Sequence, residues 1–259
     1  MIRFYRVWAV VWRHLLIYTR GLDKINTLFY WPFINIVIFG LTAATASNEN
    51  SAVVAQILAC IGAWQVMLRI TFESSNLVFL EISSQNIVNL LATPLTFLEW
   101  VLVGAVMGLI TMGIVTMTCV LSIYGLFGVA LWKLGIIWLP ILLLLTLSGL
   151  IFTYLISGFF MIIGLRAIDV MYSVIWVFVP FSSAYAPLET MPLFIQKMAI
   201  FLPFAYIFGP LRTYMATGCI DVQSLIIAFM LNVIYLFAAI GFFKYCFNKS
   251  KRLGIARLS

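Results

Sequence analysis

Six runs without a single charged residue divide this chain: 25–48, 50–68, 100–132, 134–165, 170–188 and 222–243. Each approaches or exceeds the ~20 apolar residues that span a bilayer core. Inside lipid a single segment satisfies its backbone groups only as a helix. The runs therefore predict an all-α membrane protein with six transmembrane helices. Composition agrees, with 64% hydrophobic and 9% charged residues over 259 positions, against about 45–50% and about 25% in soluble domains. The layout is one transmembrane domain over 1–259, made of a cytoplasmic amphipathic helix (1–24), a six-helix core (25–243) and a basic tail (244–259).

A net charge of +7 raises the question of nucleic acid, which requires clustered basic surface with groove-reading or stacking elements. Here the cations flank the spans instead. With the N-terminus inside, the inner segments hold Arg3, Arg6, Arg13, Arg20, Lys24, Arg69, Arg166, Lys244, Lys249, Lys251, Arg252 and Arg257, and the outer segments only Lys133, Lys197 and Arg212. That asymmetry predicts two cytoplasmic termini. No signal peptide is expected, because the first residues alternate basic and apolar with no small-residue cleavage site. Cys60, Cys119, Cys219 and Cys246 are scattered, and His14 is the lone histidine, so neither a disulfide framework nor a zinc site is expected.

Residues 3–24 read as an interfacial helix. Arg6, Arg13, Arg20 and Lys24 project in a narrow arc, with Phe4, Trp8, Val11, Leu15, Tyr18 and Leu22 opposite. Such a helix lies in the plane of an anionic leaflet, either as a simple anchor or as an elbow that also touches a partner.

The stretch 69–99 concentrates polar groups between two spans. On a helical wheel Glu81, Gln85, Asn89 and Thr93 recur every four residues, while Leu80, Ile87 and Leu91 fall opposite, with Ser84 among them. Thr93-Pro94 stops this helix, since a residue before proline is pushed out of the α region. The expectation is a short amphipathic helix showing its polar side to water. Farther on, 180–221 carries Pro180, Pro187, Pro192, Pro203 and Pro210 around two apolar pieces too short to span. Pieces of that length form a re-entrant helical hairpin in the outer leaflet or lie on its surface.

No Gly-Lys pair occurs, so the chain carries no P-loop. No ionisable residue falls inside a predicted span, which argues against proton coupling and against an intramembrane hydrolase or acyltransferase. Gly104-x-x-x-Gly108 permits close helix contact. The amides Asn35, Gln56, Gln65 and Asn232 serve interhelical hydrogen bonding or substrate contact. Phe29, Tyr30, Trp31, Trp176, Tyr185 and Tyr206 form an interfacial belt or stack along a translocation path.

Two stretches resemble the ABC-2 type permease family, the membrane half of a class of ATP-driven exporters. LEISSQNIVNLLATPLTFLEW (80–100) is similar to the family's cytoplasmic coupling region. FSSAYAPLETMPLFIQKMAIFLPFAYIFGPLR (181–212) is similar to its signature after helix 5. The resemblance covers nearly the whole chain. It implies a dimer of six-helix subunits, a homodimer first with a heterodimer left open, and two cytosolic ATPase subunits binding ATP and Mg; this chain itself is expected to hold no cofactor and to be no enzyme.

Carried over, Glu81, Ser84, Gln85, Asn86, Asn89 and Thr93 belong to the ATPase-coupling helix, and Arg6, Arg13, Arg20 and Trp8 to the interfacial helix. Pro187, Glu189, Pro192 and Pro203 belong to the hairpin closing the outer gate. Gln85, Asn86 and Asn89 stand where the family often has arginines, which implies docking insensitive to salt. The resemblance places the chain in a bacterial inner membrane, exporting an amphipathic or lipid-linked molecule (drug, lipid or polysaccharide) with membrane lipids and no nucleic acid as partners. From a different class, a non-transporting scaffold or assembly factor of a haem-maturation-like complex stays open, with a membrane enzyme third.

Overall fold

In the computed structural model, which describes residues 3–46, 50–87, 89 and 93–253, all regular structure among the described residues is helical. Helix α1 (Phe4–Arg20) leads through a short turn, Leu22–Ile25, and a π-helical turn, Asn26–Tyr30, into α2 (Trp31–Ala46). Then come α3 (Ser51–Ser83), α4 (Phe97–Phe127), α5 (Trp138–Ile163), α6 (Ile168–Val177), α7 (Leu193–Ala199), α8 (Ala205–Thr217) and α9 (Val222–Leu253). Five helices are long and apolar enough to cross a membrane: Asn26–Thr45, Ser51–Ser83, Phe97–Phe127, Leu131–Ile163 and Val222–Arg252. The chain is a multi-pass, all-helical membrane protein.

Two expectations need correction. The second span does not end near residue 68, because α3 continues through Arg69, Glu73 and Glu81 to Ser83. Its 33 residues extend about 50 Å at 1.5 Å per residue, well beyond a hydrocarbon core of ~30 Å. Ionisable groups therefore do lie on the helix that carries the second span. The run 170–188 is not one continuous helix either. Helix α6 ends at Val177 and turns follow, because Pro180 has no N–H to donate and disfavours helical geometry in the residue before it.

Helix α3 is the centre of the bundle, buried on all sides from Leu58 to Thr71. Lipid tails are as apolar as leucine, so helices associate through close packing and hydrogen bonds. Glycines supply the closeness. A Cβ on Gly108 would lie 3.2 Å from Leu150 and 3.3 Å from Ile70, and one on Gly149 would lie 3.0 Å from Ile70 and 3.1 Å from the Met67 carbonyl. The Gly104-x-x-x-Gly108 pair thus serves contact within the chain. Ser74 donates to the Gly104 carbonyl at 3.3 Å, and Thr71 donates to the Gly149 carbonyl at 3.1 Å. Asn232 bridges α9 to α5, accepting from Ser148 at 2.7 Å and donating to the Leu144 carbonyl at 3.3 Å. Asn35, by contrast, donates to Trp31 in its own helix.

The two ends of the bundle differ. Phe97, opening α4, packs on Phe243 and Phe247 of α9, and the backbone N–H of Arg3 donates to Glu99. The start of α1 and the last turns of α9 therefore meet at one end, hereafter the basic end. Tyr124 and Trp132 mark the opposite end.

The α3–α5 contact sets the bundle's stability. Gly149→Val forces a branched side chain against a backbone carbonyl that cannot yield, and it should destabilise by about 1–3 kcal/mol. Gly113→Ala, with nothing within 4 Å of its Cβ position, should leave melting in detergent unchanged or slightly raised.

Candidate functional site

Helix α1 seats itself with Val7, Val11, His14 and Tyr18, the buried stripe at steps of four, three and four. Phe4 and Trp8, from the apolar face of the wheel, are exposed together with Tyr5 and Trp12. Arg6 and Arg13, with Lys24 in the turn after α1, reach three acids of the chain, so the basic stripe does not simply face headgroups.

Glu99 is fully buried at the first turn of α4, in a reciprocal cap with Thr96. The Thr96 hydroxyl accepts from the Glu99 N–H at 3.3 Å, while the Glu99 carboxylate accepts from the Thr96 N–H at 2.7 Å. The same carboxylate accepts the Arg3 N–H at 2.9 Å and lies 3.9 Å from Arg6, whose guanidinium also donates to the Pro94 carbonyl.

Glu81, on the last turns of α3, is 2% exposed. One oxygen pairs with Arg13 and lies 3.5 Å from His14 Nε2; the other accepts from Asn86 at 2.6 Å. Glu73 pairs with Lys24 at 2.7 Å, and its carbonyl accepts from the Tyr18 hydroxyl at 3.4 Å. Three buried carboxylates thus tie α1 and the turn after it to both helices that border 84–96. Their chemistry is that of holding, since each is committed to a cation.

The expected coupling residues are sorted by this geometry. Glu81 does not face water, and the helix does not run on from it. Ser84 ends α3 by donating to the Leu80 carbonyl at 2.6 Å, and Gln85 takes a left-handed φ of 55°, a conformation uncommon outside glycine. Beyond this turn, Asn89 donates to Asn86 at 3.3 Å, so Arg13, Glu81, Asn86 and Asn89 form one continuous polar chain from α1 outward. Ser84, Gln85, Asn89, Thr93 and Pro94 are exposed, while Ile87 is buried. The expected position of Leu91 lies outside the described residues. Arg20 is exposed.

Of the hairpin residues, Pro187 and Glu189 are exposed, Pro192 begins α7, and Pro203 is buried. The residue that sequence reasoning missed here is Arg212. From α8 it donates to the carbonyls of Ser183 at 2.9 Å and Ala184 at 3.0 Å, holding the irregular backbone where Ser183 has a left-handed φ of 60°. The Thr96-x-x-Glu99 cap was legible as a capping box ahead of an apolar run. Among the described residues no group of histidine, cysteine and acidic side chains could hold a metal ion, and the four cysteines are free thiols.

The arrangement defines a class: a multi-pass helical membrane protein with an exposed polar connection anchored to a surface helix. No protein-family model matches the chain, and no curated protein sequence matches it.

Glu81→Ala should leave Arg13 and Asn86 without their acceptor. Because Arg13 is 42% exposed and can rehydrate, the cost should be about 1–2 kcal/mol, read as faster tryptic cleavage at Arg13 and Arg20. His14 gives a pH test. Burial, with Arg13 and Lys24 nearby, holds its imidazole down from 6.5 to about 4. The unfolded chain therefore binds the proton first, so stability is complete above pH 6.5 and is lost as pH falls toward 4, by about 3 kcal/mol. Melting temperatures between pH 8 and pH 4 should show this decline, and His14→Phe should flatten it.

Proposed function

We propose that the chain is the permease subunit of an ATP-binding cassette exporter of the ABC-2 type. It would work as a homodimer in a bacterial inner membrane, driven by a separate cytosolic ATPase that binds ATP and Mg. The cargo would be amphipathic or lipid-linked. The observation that carries this reading is the connection between α3 and α4. It exposes Ser84, Gln85, Asn89, Thr93 and Pro94, while Glu81 and Glu99 at its two ends are buried and bound to α1. A partner seated on that surface would push on two spanning helices and a surface helix at once. A ligand such as ATP drives such a change by favouring one state of the assembly over another.

In this reading the membrane is crossed six times, the fifth crossing being divided between α6 and α8. Supporting contacts trace the path. Tyr172 in α6 packs on Phe72 and Phe160, Phe204 before α8 packs on Trp64 and Phe152, and the Tyr214 hydroxyl reaches the Leu134 carbonyl near the opposite end. Helix α7 and its flanking turns would be the re-entrant hairpin, with Pro187, Glu189, Pro192 and Pro203 at the outer gate. An even count is in keeping with the meeting of α1 and α9 at the basic end, which would be cytoplasmic by its excess of Lys and Arg.

Purification of the full chain in mild detergent from its native host tests this. A P-loop ATPase should come with it, and Gln85→Ala with Asn89→Ala should reduce its recovery at least tenfold. Raising salt should change recovery little, because the exposed groups are neutral. Recovery of the chain with no ATPase under any condition would overturn the permease reading and leave the scaffold.

A further inference from the structure

Among the described residues, Arg69 is a buried cation with no acid paired to it. It is 6% exposed on α3, and its Nε is enclosed with no hydrogen-bond partner. Its guanidinium lies 5.4 Å from the centre of the Phe72 ring, a contact that softens the cost of burial without cancelling the charge. The acid one turn away, Glu73, is 2% exposed and engaged by Lys24 at 2.7 Å. Among the described residues, Lys24 answers Glu73 and no ion pair is left for Arg69. An unpaired ion in such a place is strongly disfavoured.

The polar groups beside it are also unanswered. Gln65, one turn farther along the same face of α3, is fully buried, and both amide atoms lack partners. The Trp64 indole N–H and the Thr116 hydroxyl lack partners as well. The register of α3 against α4 puts Thr116 level with Gln65, since Cβ positions of Gly62 and Cys119 lie 3.6 Å apart and Ile70 lies 3.3 Å from that of Gly108. Buried polar atoms are nearly always paired. Among the described residues, several unpaired donors and an arginine with no ion pair on adjacent turns point to a missing partner with negative charge and more than one acceptor oxygen.

We infer that Arg69 and Gln65 form a binding site for the anionic head group, phosphate or carboxylate, of an amphipathic molecule that enters from the bilayer. The guanidinium supplies the charge and a fork of N–H donors suited to two oxygens. The Gln65 amide takes a further oxygen. This site concerns binding by the chain itself and stands apart from the ATPase partnership.

The test uses the full chain in a neutral detergent, titrated with dodecyl phosphate and followed by its melting temperature. Dodecanol, with the tail alone, and inorganic phosphate, with the charge alone, are titrated in parallel. Dodecyl phosphate should bind saturably and raise the melting temperature, and dodecanol should not. Little binding of inorganic phosphate assigns the site to a lipid-borne group, and equal binding assigns it to a free anion, overturning the amphiphile. Arg69→Met should weaken dodecyl phosphate by roughly tenfold to a hundredfold while raising the melting temperature of the ligand-free protein, because it removes an unpaired charge. A merely structural arginine would lower it. Gln65→Leu, which keeps the charge, should weaken binding several-fold and covers the case in which Arg69→Met does not fold. Unchanged affinity in both variants, or equal binding of dodecanol, overturns the site.

Discussion

Helices α2, α4 and α5 are placed by how closely they approach α3. In lipid the hydrophobic effect does not draw apolar helices together, so contact distance and hydrogen bonding decide. Gly62, Gly108 and Gly149 bring α4 and α5 within touching distance of α3, and Ser74 and Thr71 bond to carbonyls that only such closeness exposes. The core is correspondingly intolerant of added volume. Helix α9 follows at second hand, carried on α5 by Asn232 and by the packing of Phe242 at Gly158.

A central helix longer than the bilayer has to manage its protruding end. That end carries Glu73 and Glu81, which are covered by Lys24 in the turn after α1 and by Arg13 in α1. The pairings are mutual in their consequences. The acids are shielded from the apolar surroundings, and α1 is fixed in orientation with Phe4, Tyr5, Trp8 and Trp12 turned outward. A surface helix with an aromatic outer side and a charged inner side is thereby built into the bundle rather than floating beside it.

Much of this architecture could be read from the chain. Uncharged runs located five long helices because their apolar length has no other stable outcome in lipid. The short amphipathic N-terminal helix was equally legible from its periodicity. What could not be read was pairing at a distance. Counting charge-free runs cut α3 at Arg69, since nothing near that residue in sequence reveals Lys24 beside Glu73, 49 positions away. The polar wheel of Glu81, Gln85 and Asn89 assumed one uninterrupted helix, and the left-handed backbone at Gln85 breaks it. Glu81, expected to face water, is instead buried against Arg13. The uncharged run after Asp169 conceals a break that Pro180 forecasts, although the partner that makes the break tolerable, Arg212, lies 29 residues beyond Ser183.

That partner has a mechanical meaning. Within a helix, parting two turns means breaking a cooperative ladder of backbone bonds. Between α6 and α8 the backbone carbonyls of Ser183 and Ala184 are instead answered by one side chain. The irregular backbone at Ser183 and Ala184 is therefore held by a side chain reaching across from α8 and not by a helical ladder.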